Sequence, residues 1–194
     1  MVLDTLQRVM NRLDQSLDPR LTYHNSAHTR DVFDAVGRIA DYEGLTGTQK
    51  ESLQLAAAYH DIGFLQTSNG VGHEQASVEL FMTDFPELNN SDKELVSALI
   101  LATGMPHNPQ STLQEIMCDA DLDYLGRKDY FDLAEGLYLE YLAFGKLKDR
   151  QEWKELQIAF FESHRYFTKF GQIERQPGKL NNLEQIKART TLHY

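Results

Sequence analysis

The sequence predicts an all-α fold: apolar residues recur at helical spacing along nearly the whole chain, strictly alternating runs are almost absent, and Gly, Pro and Asn clusters punctuate the periodic segments. Helices are expected near 2–17, 26–43, 48–62, 72–84, 91–103, 111–124, 128–145, 150–170 and 180–188. The opening MVLDTLQRVMNRLDQ scatters charges among its apolar residues and lacks the apolar stretch and small-residue cleavage site of an export signal. The second helix carries the stripe Val32, Ala35, Val36 and Ile39. The third opens on a capping box, Thr48 with Glu51, shows Leu53, Ala56 and Ala57 on one face, and stops at Gly63. Breakers from Gly63 to Gly72 lead into the fourth, GHEQASVEL. After Pro86 to Asn90, a second box of Ser91 with Glu94 opens the fifth, and after Gly104 to Pro109 a third, Ser111 with Gln114, opens the sixth. That sixth helix bears Leu113, Ile116, Met117, Ala120 and Tyr124 on one stripe. The eighth ends in an aromatic stretch, Phe160 to Phe170, that reads as core packing rather than a base-stacking platform. Gln176-Pro177-Gly178 breaks the chain before the last helix, and a frayed tail is expected from about Lys187.

A chain of 194 residues, 41% hydrophobic and 25% charged, can bury one sizeable core, so a single domain over 1–194 is expected. Its net charge of −10 speaks against binding nucleic acid through a broad basic surface. A phosphate ester would need concentrated positive charge, which a bound cation supplies most compactly. With one cysteine, Cys118, no intrachain disulfide can form, and with no apolar run approaching ~20 residues no membrane span is expected. A cytoplasmic protein follows as the expectation.

Candidate chemistry lies on three of the predicted stripes. In YHNSAHTRDVFDAV, His24, His28 and Asp31 are spaced to share one side of a helix, and the apolar stripe that follows points His28 inward. In TQKESLQLAAAYHDIG, His60 continues the apolar face and Asp61 lies at its edge, so a carboxylate enters the interior and needs a cationic partner. In STLQEIMCDADLDYLG the wheel turns Asp119 away and leaves Asp121 and Asp123 flanking the inner stripe on opposite edges, a choice that periodicity does not make. An acidic solvated edge is the alternative for all three.

A His, then a His-Asp dyad, then an Asp in a DADL context resembles the HD superfamily of metal-dependent phosphohydrolases. That resemblance spans about 28–125, implies an HD-type helical bundle with a metal-site core near 24–125 and C-terminal helices over 128–188, and selects His28, His60, Asp61 and Asp121 as ligands of a divalent cation. The opening YHNxxH is similar to the start of cyclic-nucleotide phosphodiesterase domains, which implies His24 as general acid and a small nucleotide or cyclic nucleotide as substrate. Two imidazoles and two carboxylates suit Mn, Fe, Zn, Co or Ni, and Mg less well. A second ion would draw on His73, or less favourably on His107. Arg127 and Lys128 are candidates to contact a substrate phosphate, with a solvated helix start as the alternative. Besides a hydrolase, the residues admit a metal-containing nucleotide sensor with little turnover, or a dinuclear-iron oxygenase on the same fold.

Overall fold

The chain's computed structural model describes residues 2–67 and 70–189, and among these it contains nine α-helices and no strand. They are α1 (Val2–Ser16), α2 (Ser26–Tyr42), α3 (Thr48–Tyr59), α4 (His73–Asp84), α5 (Asn90–Leu101), α6 (Thr112–Asp121), α7 (Tyr130–Ala143), α8 (Arg150–Ser163) and α9 (Gln176–Ala188). Single 3₁₀ turns, Ile62–Leu65 and Asp123–Gly126, follow α3 and α6.

Two apolar clusters organise the helices. The larger joins Leu6, Val36, Ile39, Leu53, Leu99 and Ile116 from α1, α2, α3, α5 and α6. The smaller gathers aromatic residues of α7 and α8 around Tyr124 and Leu125, with Tyr23 and Leu122 in it from the other side. The expected stripes supply these cores: Val32, Ala35, Val36 and Ile39 are at most 1% exposed, as are Leu53, Ala56 and Ala57.

Several ends differ from expectation, each for a local reason. Of the three capping boxes, only Ser111 caps its helix, accepting from the Gln114 N–H. Asn89 caps α5 by accepting from Asp92 N, so the helix starts ahead of Ser91. Gly47, with φ at 63°, precedes α3 and leaves Thr48 already helical with no side-chain cap.

α3 stops at Tyr59, and α4 packs at contact distance on the 3₁₀ turn that follows it. A Cβ on Gly63 would stand 2.0 Å from the His73 carbonyl oxygen, so only glycine fits there. Ser77 clamps the crossing by accepting from Gly63 N and donating to His60 O.

α8 was expected to reach 170 but ends at Ser163. Buried Asp119 captures the Phe167 and Thr168 N–H groups and the Thr168 hydroxyl, which diverts the chain out of the helix. Pro177 and Gly178, expected to break the chain, instead lie inside α9. Proline in a first turn forfeits no helical hydrogen bond, and Gly178 lets α9 lie against Gly126, where a Cβ would be 2.0 Å from that carbonyl. Of the expected tail, Lys187 and Ala188 are helical and 190–194 lie outside the described residues.

Candidate metal centre

Three helix termini deliver the site. α2 begins at Ser26 because the Asn25 side chain accepts from the Ala27 and His28 N–H groups, which sets His28 in the first turn with its ring inward. α3 ends on His60, α6 ends on Asp121, and Asp61 occupies the bend into the following 3₁₀ turn.

The ligating atoms converge. His28 Nε2 and His60 Nε2 are 3.3 Å apart. Asp61 Oδ2 is 3.4 Å from the first and 3.2 Å from the second. Asp121 Oδ1 is 3.2 Å and 3.5 Å from the same two nitrogens. His28, His60 and Asp121 each offer one ligand atom within 4.8 Å of the others, a group that can hold a metal ion.

The donor set fits a cation on two counts. His60 Nδ1 lies 2.9 Å from the Ala57 carbonyl, which can only accept, so that nitrogen carries the proton and a neutral ring turns its Nε2 lone pair to the centre. Asp61 Oδ2 is buried and has no hydrogen-bond partner among the described residues, although an orphaned buried carboxylate oxygen is costly. Acceptors crowded around one point call for a shared positive charge.

The second oxygen of Asp61 faces elsewhere: Oδ1 is 3.3 Å from His73 Nε2. His73 Nδ1 is 2.8 Å from the Gly70 carbonyl and so is a donor; burial works to lower this ring, but Asp61 outweighs it and raises it above 6.5, so Nε2 offers a lone pair only once its proton is displaced. His107, the other candidate for a second ion, instead donates from Nε2 to the Thr103 carbonyl.

Without metal, protons do the neutralising. Burial alone would depress His60, but the charges of Asp61 and Asp121 overcome it and hold the imidazole well above its ordinary 6.5. Burial likewise works to raise Asp61, and His60 outweighs it, holding that carboxyl well below 3.8. By linkage, the His60 proton stabilises the metal-free fold fully below 6.5, and this contribution is lost as pH rises through the higher folded value. Asp61 acts in the opposite sense, stabilising above 3.8 and failing as pH falls through its depressed value.

Metal must displace the His60 proton. Affinity for Mn²⁺ is therefore expected to climb with pH, by up to about tenfold per unit, until the raised folded value of His60 is passed, with release of about one proton below it. Titration calorimetry in two buffers of different ionisation heat measures that release; equal apparent heats would exclude it.

His24 lies ahead of α2 rather than on it, so helical spacing is not what aligns it with His28. Glu140 of α7 holds it instead. This buried carboxylate accepts from the Tyr23 and His24 N–H groups through Oε2, and its Oε1 is 2.5 Å from His24 Nδ1. Burial tends to raise Glu140, yet the His24 hydrogen bond prevails and its carboxyl is held below the usual range. The His24 ring stacks on Phe64 with centroids 4.7 Å apart and stands edge-on to His28 at 5.8 Å. Glu140 was missed in the sequence, though its position one turn beyond Gly136 and Leu137 marks an acid on an otherwise apolar face.

The three acidic residues of DADLD part company. Asp119 and Asp123 are each 1% exposed, so neither forms a solvated edge. Asp119 holds the 167–168 backbone, while Asp123 pairs with Arg175 at 2.6 Å and Arg38 at 3.1 Å. Asp121 alone faces His28 and His60, and its side chain keeps 18% exposure. Asp121→Asn is expected to weaken Mn²⁺ binding far more than Asp123→Asn, which should instead lower the melting temperature. Metal titrations and melting curves of the two variants decide; the reverse ordering would reject the assignment.

Arg127 and Lys128, expected near a substrate phosphate, do not reach the centre. Asp31 grips the Arg127 guanidinium at 2.6 Å and Asp129 at 2.8 Å, and Lys128 is an exposed side chain in a hollow beside α9. Their charge is consumed by neighbouring carboxylates or left in water.

The open side of Asp121 leads into a cavity of about 160 Å³, flanked by His24 and walled by Tyr23, Tyr124, Tyr130, Trp153, Phe160 and Phe161. Part of the aromatic stretch expected to be core, Phe160 and Phe161, thus lines a pocket. Among the described residues, no helix is long and apolar enough to cross a membrane.

The family model of the HD domain matches residues 25–123, an interval that contains His28, His60, Asp61, His73 and Asp121. No curated protein and no solved structure matches the chain.

Proposed function

The chain belongs to the HD-domain family, whose members are generally metal-dependent phosphohydrolases; from that premise we propose that it hydrolyses a phosphomonoester or phosphodiester, with a small nucleotide or cyclic nucleotide as substrate. The observation that carries this reading is the orphaned Asp61 Oδ2, buried against two imidazole nitrogens, one of them freed for ligation by the Ala57 carbonyl. His28, His60, Asp61 and Asp121 are the proposed ligands. The nucleotide preference rests on the family resemblance, and the YHNxxH opening tilts it toward cyclic nucleotides.

A divalent cation in this set supplies a Lewis acid for a phosphoryl oxygen and lowers the pKa of water. The chain's own groups do the rest. Asp61 orients the attacking water through a carboxylate oxygen. His24, protonated on Nδ1 toward Glu140, presents Nε2 to the leaving oxygen and passes it a proton as the P–O bond breaks. Glu140 fixes that tautomer and offsets the imidazolium charge.

A second ion is favoured by one observation, His73 Nε2 standing 3.3 Å from Asp61 Oδ1. Asp61 and His73 are the residues that would hold it.

The test combines elemental analysis of the purified protein with phosphate release from mononucleotides, cyclic nucleotides and a generic phosphodiester in Mn²⁺. Metal with turnover of at least one ester supports the reading. Stoichiometric metal with none in single-turnover assays would instead make the chain a sensor, and bound iron with oxygen consumption would make it an oxygenase.

A further inference from the structure

We propose that the alcohol esterified to the phosphate carries an uncharged, ring-sized group, the base where the substrate is a nucleotide, held in the aromatic cavity beside Asp121, and that the substrate carries no second phosphate. The chemistry of this proposal rests on the hydrolase reading, whereas the binding specificity does not.

Volume sets the first limit. The cavity measures about 160 Å³, and a protein cavity of ~150 Å³ holds one benzene ring. Its inner end is ring faces: Tyr130, Trp153 and Phe161 are each at most 4% exposed. The buried amide among them is already engaged, since Gln157 Oε1 accepts from the Tyr130 hydroxyl at 2.7 Å and Nε2 donates to the Trp153 carbonyl at 3.4 Å. An occupant reaching that depth meets mainly aromatic surface.

Charge sets the second limit. Among the described residues that line the cavity there is no lysine and no arginine, and its one carboxylate is Asp121 at the metal end. A second phosphate placed there would enter a desolvated, uncompensated site beside an anion. Past the 3₁₀ turn, the Arg127 guanidinium is committed to Asp31 and Asp129. At the mouth, Met105 and Leu156 are 56% and 43% exposed, which extends the apolar wall to the entrance. The phosphate therefore belongs at the metal end, near His24, with the ring pointing down the cavity.

Trp153 is the chain's one tryptophan and lies in the cavity wall, so its emission reports occupancy without turnover. With Mn²⁺ bound, phenylphosphonate is expected to change Trp153 emission saturably and to bind about tenfold or more tighter than methylphosphonate, the gain coming from ring burial. Phe160→Ala should erase most of that preference while methylphosphonate affinity, which also reports an intact fold, stays unchanged. In turnover, phenyl phosphate should be cleaved and inorganic triphosphate should not. Equal affinities for the two phosphonates, or faster phosphate release from triphosphate than from phenyl phosphate, would overturn the proposal. Tight phenylphosphonate binding with no ester hydrolysed would uphold the pocket and reject the hydrolase reading.

Discussion

Replacing Asp61 with alanine is expected to empty the centre of metal and abolish phosphate release. Its two oxygens do separate jobs: Oδ2 stands 3.2–3.4 Å from the His28 and His60 nitrogens, and Oδ1 stands 3.3 Å from His73. Alanine deletes both contacts and removes the charge that balances a cation in a site where His60 is 1% exposed. Removing a mere outer partner of a metal ligand costs ~10–100-fold in affinity, and loss of a ligand itself should exceed that. Elemental analysis after Mn²⁺ loading and dialysis measures the first effect, and phosphate release the second. Helix content from circular dichroism separates loss of metal from loss of fold. An Asp61→Ala protein that folds and retains full metal stoichiometry would remove this carboxylate from the ligand set.

His24→Ala is expected to do the opposite to metal and nearly as much to rate. The ring stands beside the centre, 5.8 Å from the His28 ring, and Glu140 rather than the cation engages its Nδ1. Metal content should therefore be unchanged while kcat falls by ~10²–10⁴-fold, the usual worth of a general acid. Esters with a leaving group that needs no proton, such as p-nitrophenol, should be affected least. Glu140→Gln provides the companion measurement. It removes the carboxylate that fixes the His24 ring and should lower kcat by about 10–100-fold, the scale seen for partners that orient metal-binding imidazoles, with KM and metal content unaltered. Metal lost from His24→Ala would make that residue a ligand, and an unchanged kcat in both variants would leave the proton to another donor.

Much of the helical framework could be read from periodicity because helix phase is a local property. Val36 and Ile39, Leu53 and Ala57, and Ile116 and Met117 each announce the buried side of their own helix, and on those sides His28, His60, Asp61 and Asp121 stand out as groups that need partners. Helix ends were less legible, because they answer to contacts from afar: Asp119 diverts the chain after α8 from 48 residues away, and the turn after α3 is packed against His73 at Gly63.

The same division holds at the site. Which side chains turn inward, and that a carboxylate beside an imidazole in an apolar stripe requires compensation, could be read along the chain. That the three stripes meet at one point, that Asp121 faces it while Asp123 serves Arg175 and Arg38, that Arg127 is taken by Asp31, and that Glu140 reaches His24 across 116 residues follow from helix packing alone. The reason is geometric. A residue's angle on its helix follows from its neighbours in the chain, whereas the partner it meets depends on how separate helices pack, and no local pattern encodes that distance.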